Sequence, residues 1–311
     1  MSIIIFSQQY AESSTENVID WILTLNPTER ILRINGENVL ETVAENEIDE
    51  KNIRCWYRRS YNSSEHTVAS RDLPKNSYDI NIFMRREYID LYLYHIGEII
   101  DSATFCLSSP KNSKLNKLST LKLANKCGIK TPKWVILDTP SELVRIFNGY
   151  ILTKPISDLF KISKGNYYYA PFTKKIEVQE LVELLPEKVF PSFFQEYIEK
   201  DFEIRSVRLI DEFYSMAIFS SHDSKTEEDF RRYNYKKSNR MIPFDLPLEI
   251  EKKLELLCNK LNLNFCSIDL LFSKGEYYFL EINPVGQFGM TSKPCNYQIE
   301  KKIAQILIDS E

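Results

Sequence analysis

The sequence predicts an α/β protein made of several lobes, and three features support this prediction. Strand-like and helix-like segments alternate over residues 1–113, at lengths typical of α/β lobes. From position 193 onward the pattern becomes rich in strands. The chain has 311 residues, which suits two or three compact lobes better than one small module.

The first predicted lobe, residues 1–113, takes its elements from the spacing of apolar side chains. A short apolar run and an alternating segment predict two strands, a third strand is expected farther along, and apolar residues at helical spacing predict two helices. The predicted strands are 3–6, 30–34 and 53–59, and the predicted helices are 14–25 and 83–103. A polar break at 110–113 predicts the end of this lobe.

The other two predicted lobes are a central one, residues 114–191, and a carboxy-terminal one, residues 192–311. The central lobe is predicted to hold helices at 115–127, 141–147 and 177–185, strands at 134–137 and 150–153, and a mobile loop at 157–173. Strands are predicted in the last lobe at 193–198, 203–209, 212–219, 266–272 and 277–282, with a helix at 248–261.

Composition excludes several classes of protein. Forty basic and 44 acidic residues give a net charge of −4, which argues against bulk nucleic acid or anionic lipid as the main partner. No apolar run approaches the ~20 residues of a membrane helix. Six scattered cysteines without a CxxC pair, and three histidines, argue against zinc or disulfides and favour the cytoplasm. Only eight glycines are present, so a glycine-rich phosphate loop is not expected.

The most informative segment, residues 267–284, predicts a β-hairpin with chemistry on one face. Residues two apart in a strand face the same side, so Glu281 and Asn283 point together. The antiparallel partner strand can set Asp269 beside them. Three hard oxygen ligands on one face are what Mg2+ prefers, with water and phosphate in its remaining positions.

A hairpin with a solvent-facing polar side is the alternative interpretation of this segment. The residues between the three oxygen donors are mostly apolar, which predicts a buried hairpin, and an unpaired carboxylate is costly there. These apolar residues are Ile268, Leu270, Leu271, Phe279, Leu280 and Ile282. Their presence favours the metal site over the solvent-facing alternative.

Four motifs, in this order along the chain, resemble those of the ATP-grasp ligases. They are Lys117 before Gly128, Lys154 at a strand end, Gln195-Glu196-Tyr197-Ile198 followed by Glu203, and Asp269 with Glu281-Ile282-Asn283-Pro284. The resemblance covers residues 112–311. It implies a three-lobed ATP-grasp fold that binds ATP and Mg2+ between the central and carboxy-terminal lobes.

The same resemblance implies roles for these residues. Lys117 and Lys154 correspond to nucleotide-binding lysines, and residues 195–198 to the hinge that contacts adenine mainly through backbone groups. Glu203 corresponds to the ribose carboxylate. The metal ligands implied are Asp269, Glu281 and Asn283.

A narrower resemblance points to the ATP-grasp peptide maturases of graspetide pathways, in particular the grasp-with-spasm subgroup related to microviridin ligases. It rests on the run 280–288, its continuation 292–297, Cys55-Trp56-Tyr57-Arg58-Arg59 and Asp229-Phe230-Arg231-Arg232-Tyr233-Asn234. It implies a ligase that activates Asp or Glu side chains of a ribosomal precursor peptide with ATP. The enzyme then closes ω-ester or ω-amide links onto hydroxyl or amine side chains. The partner is a precursor with leader and core, and we expect a homodimer.

Arginines are the residues expected to hold the reacting carboxylate or acyl phosphate, because a guanidinium makes two parallel hydrogen bonds to such groups. The candidates are Arg205, Arg231 and Arg240. Arg205 lies two residues after Glu203 and so on the same strand face. A solvated charge within a basic run is the alternative for Arg231. No obvious catalytic base stands out.

Two rival functions remain open from the sequence. The first is a ligase that joins an amino acid to a carboxylate on another molecule, as glutathione synthetases and ribosomal-protein glutamate ligases do. The second is a non-catalytic nucleotide-binding protein on the same fold. The complete set Asp269, Glu281 and Asn283 argues against the second, and only the segments 285–297 and 56–59 favour the macrocyclase over the first.

Overall fold

The computed structural model describes residues 2–9, 12–36, 52–59, 78–156, 162–164, 167–169, 173–220 and 239–310. The chain forms two compact units. Unit 1 comprises Met1–Lys114, Asn262–Cys266 and Pro284–Glu311, and unit 2 comprises Leu115–Leu261 and Ser267–Asn283. No helix among these described ranges is long and apolar enough to cross a membrane.

Unit 1 contains a parallel sheet with the strand order β2-β1-β3-β4. The strands are β1 (Ser2–Ser7), β2 (Arg30–Asn35), β3 (Ile53–Tyr57) and β4 (Phe105–Leu107). β1 and β3 are central and almost completely buried. β1 is accordingly a continuous apolar run from Ile3 to Phe6, whereas β3 also buries Arg54, which forms an ion pair with Glu29 at 2.6 Å. The predicted strands at 3–6, 30–34 and 53–59 are confirmed, and β4 is an addition.

The described part of unit 1 also contains the helices α1 (Ser13–Leu25), α2 (Tyr78–Ser102), α7 (Gly289–Cys295) and α8 (Ile299–Asp309). One face of α2 buries Tyr92, Ile96 and Ile99 against the sheet. Helix α8 packs on α1 and buries Ile303 and Leu307 completely. The carboxy-terminal helices therefore pack within unit 1, whereas the sequence-based division placed them in the lobe 192–311. The three-lobe division itself stays a prediction.

The first sheet of unit 2 is antiparallel, with the order β5-β10-β6-β9. Its strands are β5 (Trp134–Leu137), β6 (Tyr150–Thr153), β9 (Lys174–Glu177) and β10 (Ser192–Glu196), and the hairpin β7 (Ile162–Lys164) with β8 (Tyr167–Tyr169) lies within the loop predicted at 157–173. The helices α4 (Leu143–Ile146) and α5 (Val178–Leu184) cover a core that includes Phe194 of β10. Strand β10 lies in the middle of this sheet, where it pairs with β5 and β6.

Helix α3 (Lys117–Lys126) begins unit 2 and ends as predicted from Gly128. Gly128 has φ +80°, a left-handed conformation that glycine adopts without strain, and its N–H donates to Asn125 O at 3.0 Å. The chain then runs along the edge of the hairpin predicted at residues 267–284, where Phe279 N donates to Lys130 O at 2.8 Å.

The second sheet of unit 2 has the order β13-β12-β11-β14-β15. Its strands are β11 (Phe202–Leu209), β12 (Glu212–Phe219), β13 (Arg240–Phe244), β14 (Phe265–Ser273) and β15 (Glu276–Asn283), and α6 (Leu248–Lys260) precedes β14. The β14–β15 hairpin turns at Lys274 and Gly275, both with positive φ, as a two-residue hairpin turn requires. The predicted hairpin is confirmed.

Candidate functional site

The three predicted oxygen donors lie on one face of the β14–β15 hairpin. Asp269 is directly opposite Glu281, and Ser267 is directly opposite Asn283. Leu280 is an extra residue in β15 at this point, so a β-bulge follows the Asp269–Glu281 pair. A bulge re-aims side chains and is common beside functional sites. The register therefore brings the three donors together, as the sequence predicts.

The chemistry of this donor set fits a magnesium ion. Two carboxylates and one amide offer hard oxygens, and Mg2+ usually takes few protein ligands and keeps several waters. The Asp269 side chain is 15% exposed, and Asn283 is exposed, so one side remains accessible to water and phosphate. In the described part of the chain, no three His, Cys, Asp or Glu side chains are grouped so that they could hold a metal ion, and the present set has two carboxylates and one amide.

A cleft within unit 2 lies beside this hairpin. It takes residues from both sheets of the unit. Its lining includes Lys154, Gln195, Glu196, Tyr197, Ile198, Lys200, Glu203, Asp269 and Glu281. Most of the predicted nucleotide residues and two predicted metal ligands therefore meet in one cleft.

The predicted adenine hinge is the end of β10 and the turn after it. Gln195 is 1% exposed, and its amide nitrogen makes no hydrogen bond within the residues that the structure describes. The carboxylate of Glu196 accepts a hydrogen bond from Lys133 N at 3.1 Å. Lys175, which sequence reasoning did not single out, places its ammonium 4.0 Å from the centroid of the Tyr197 ring.

Glu203 is buried where the sequence predicts the ribose carboxylate. Its Oε1 accepts hydrogen bonds from Lys200 Nζ and, at 3.2 Å, from Ser220 Oγ. Burial raises the pKa of Glu203, while the ion pair with Lys200 opposes that rise and the negative charge of Asp269 adds to it. Lys200 was missed because a lysine in sequence gives no sign that it is buried.

Arg205 links its own strand β11, which carries Glu203, to strand β14, which carries Asp269. It is 4% exposed, donates from Nη2 to Ser267 Oγ at 3.0 Å, and its Nη1 lies 3.6 Å from Asp269 Oδ1. Arg240 is exposed on β13, stacks its guanidinium 5.7 Å from the Phe219 ring, and does not line the cleft. Arg231 lies outside the described residues, so its role stays a prediction.

The two predicted nucleotide lysines differ in their positions. Lys154 lines the cleft, with Nζ 5.9 Å from the centroid of the Phe193 ring. Lys117 is the first residue of α3, directly after Asn116, whose side chain caps the helix. Lys117 does not line the cleft in the described part of unit 2.

Two segments that carry the narrower resemblance come together within unit 1. The rings of Trp56 and Phe288 pack 6.3 Å apart, and Arg58 donates to the backbone oxygen of Val285. Arg58 is 2% exposed and lies 3.6 Å from Glu12 Oε2. Burial lowers the pKa of Arg58 to about 10, although Glu12 opposes this effect. The patch at 56–59 and the tail after residue 285 therefore form one structure.

Solved structures resemble the whole chain. One is an ATP-grasp ligase from Chryseobacterium gregarium, described as RiPP-associated and bound to ADP and a leader and core peptide. It superposes with a TM-score of 0.81 at 22% identity, covering 100% of this chain and 98% of that one. The macrocyclase MdnC from Microcystis aeruginosa MRC, bound to precursor peptide MdnA, gives 0.78 at 23% identity and full coverage of both chains. The D-alanine–D-alanine ligase of Bacillus anthracis gives 0.58 at 14% identity, covering 100% and 97%.

These likenesses establish the fold, since each identity is below 25%. No protein in the curated set matches the sequence. The family model described as the RimK-like ATP-grasp domain matches residues 114–307, well over half of the chain, and this range contains every candidate site residue named above. The match, the hairpin and the cleft agree: the chain belongs to the RimK-like ATP-grasp family.

Proposed function

We propose that the chain is an ATP-dependent peptide macrocyclase. It activates Asp or Glu side-chain carboxylates of a ribosomal precursor peptide as acyl phosphates and closes ω-ester or ω-amide crosslinks onto Thr, Ser or Lys side chains. The observation that carries this proposal is the likeness over the full length of both chains to ATP-grasp ligases whose structures hold precursor peptides. That likeness includes unit 1, where the 56–59 patch and the tail after residue 285 pack together.

The residues that line the cleft would hold the nucleotide. Residues 195–198 flank the adenine, Glu203 accepts hydrogen bonds from the ribose, and Lys154 neutralises phosphate oxygens. Lys117, at the start of α3, is assigned to the phosphates on the family resemblance alone. Mg2+ held by Asp269, Glu281 and Asn283 would screen the negative charge of the phosphates during transfer.

The reaction balances as two displacements. In the first step, a substrate carboxylate oxygen bonds to the γ-phosphorus of ATP and ADP leaves. In the second step, a hydroxyl or amine of the peptide bonds to the acyl carbon, and phosphate leaves with the former carboxylate oxygen. Each crosslink therefore removes one water from the peptide. Arg205 is buried beside Asp269 and can orient a carboxylate or acyl phosphate through its planar donors. Arg231 and Arg240 are proposed for the same task, although Arg240 does not line the cleft.

A ligase that joins two separate molecules is the alternative, and the D-alanine–D-alanine ligase shares the fold at a lower TM-score than the peptide-bound enzymes. A nucleotide-binding protein without catalysis is the second alternative. The grouping of Asp269, Glu281 and Arg205 in and beside the cleft supports an enzyme over that alternative.

The deciding experiment follows peptide mass. The probe is the peptide encoded next to this chain's gene that has a carboxyl end rich in Thr or Ser and in Asp or Glu, mixed with the enzyme, ATP and Mg2+. We expect a loss of one water, about 18 Da, per crosslink with the full peptide, and a slow reaction or none with its core alone, because remote binding energy orients the reacting end. Addition of a free amino acid would favour the alternative ligase. ATP binding without any change in peptide mass would favour the binder.

We propose a homodimer as the assembly, and the support comes from α2. The face of this helix away from the core carries exposed large apolar side chains at Ile80, Phe83, Met84, Leu91 and Tyr94. Their spacing of three, four and seven residues forms one stripe, and a two-fold axis would cover both copies of it at once.

Replacing apolar residues of this stripe with charged ones tests the predicted dimer. Phe83→Glu with Leu91→Glu is expected to give a monomer by analytical ultracentrifugation at concentrations where the unchanged chain is a dimer. The control is Leu184→Glu, at another exposed apolar residue, 68% exposed on α5. A monomeric unchanged chain, or a dimer that survives both charges, would contradict the assignment.

A further inference from the structure

The cleft contains a buried ion pair whose lysine has no role in the function proposed above. The side chain of Lys200 is 7% exposed and that of Glu203 is 9% exposed, and both residues line the cleft. A buried lysine is uncommon, since its ammonium loses hydration that only a well-placed partner restores. The ion pair with Glu203 therefore holds the ammonium group of Lys200 in place inside the cleft.

The hydrogen bonds to Glu203 are unevenly divided between its two oxygens. Lys200 Nζ and Ser220 Oγ both donate to Oε1. Among the described residues, no hydrogen bond to Oε2 is formed. The carboxylate is thus held by one oxygen, and the other is available to a ligand in the cleft.

We propose that Lys200 is a positioning residue that makes the cleft selective for a nucleotide with ribose hydroxyls. By holding Oε1, Lys200 and Ser220 orient Glu203 so that Oε2 accepts hydrogen bonds from the 2′ and 3′ hydroxyls. Lys200 acts through Glu203 and does not itself contact the nucleotide. This inference rests on the proposed ATP-binding function.

The competing role for Lys200 is direct contact with phosphate oxygens. That role would move the ammonium away from Glu203 and leave a carboxylate buried at 9% exposure without its cation, which is strongly unfavourable. Asp269 adds a second negative charge whose field reaches Glu203. The geometry favours a lysine that stays with the carboxylate.

The test measures nucleotide binding by calorimetry, with Mg2+ and the full chain. The probes are ATP and 2′,3′-dideoxy-ATP, which lacks both hydroxyls. The unchanged protein is expected to bind ATP at least about tenfold more tightly than dideoxy-ATP, because hydrogen bonds from the ribose hydroxyls to a buried carboxylate are strong. Lys200→Met is expected to weaken ATP binding at least about tenfold and to leave dideoxy-ATP within about twofold, whereas Lys200→Arg should keep most of the discrimination.

A double variant keeps the test valid even if the single variant Lys200→Met fails to fold. Glu203→Gln removes the buried charge, so Lys200→Met with Glu203→Gln is expected to fold and to bind ATP as Glu203→Gln alone does. A further loss of ATP affinity in the double variant would overturn the positioning role. Equal weakening of ATP and dideoxy-ATP by Lys200→Met would assign the lysine to the phosphates instead. If the unchanged protein binds no ATP, the proposed function itself fails, which is a separate outcome.

Discussion

Glu281→Gln and Asp269→Asn are each expected to lower turnover at least about a thousandfold while the fold stays intact. Each change removes one negative charge from the proposed metal site and keeps the size of the side chain. Clamping of the phosphates by the metal supplies several kcal/mol of transition-state stabilisation, and a factor of ten in rate corresponds to about 1.4 kcal/mol. Peptide dehydration followed by mass, with Mg2+ near its physiological level, measures the loss.

The matched control for this prediction lies on the same strand. Glu276 begins β15 and forms an ion pair with Lys130 at 2.8 Å, and both side chains are at least half exposed. Glu276→Gln makes the same chemical change outside the cleft, and exposed pairs contribute little, so turnover should change less than about twofold. Near-normal turnover in Glu281→Gln or Asp269→Asn would remove the metal assignment.

Arg205→Lys is expected to lower turnover about a hundredfold or more, with ATP affinity changed only slightly. Lysine keeps the charge but loses the planar donors that reach Ser267 Oγ and Asp269 together. Loss of one oriented donor in a catalytic site usually costs a factor of about a hundred to a thousand in rate. Single-turnover assays and nucleotide titration separate the effect on catalysis from an effect on binding.

Arg208 provides the control, because it is equally buried on the same strand. It is 3% exposed, and its guanidinium donates to Ile210 O at 2.6 Å and to Glu255 O at 3.4 Å, outside the cleft. Arg208→Lys should lower stability while leaving the turnover of folded enzyme within about threefold. A collapse of ATP affinity in Arg205→Lys would instead place this arginine in nucleotide binding.

The sequence predicts the β14–β15 hairpin well, for reasons specific to strands. The alternation of side chains fixes which residues share a face, and the Lys274-Gly275 turn fixes the register of the two strands. Helix α3 was likewise predictable from its glycine end, Gly128. Such features depend on neighbours along the chain.

Two parts of the chain pack with segments that are distant in the sequence. Strand β10 pairs with β5 and β6, and helix α8 packs on α1 in unit 1. Strands β4, β9 and β13 and helices α7 and α8 were also not predicted. Pairing between distant segments depends on the shapes and apolar faces of both partners, and no local pattern reports it.

In the candidate site, too, some residues could be predicted from the sequence and others could not. Residue types and their spacing selected Asp269, Glu281 and Asn283, whereas Glu203 and Lys154 came from the resemblance to the ATP-grasp ligases. Only the tertiary structure decided that Arg205 lies against Asp269, that Arg240 does not line the cleft, and that Lys200 is buried on Glu203. The physical reason is that burial and charge pairing depend on atoms brought together from separate strands, and these set the energy of each charged group.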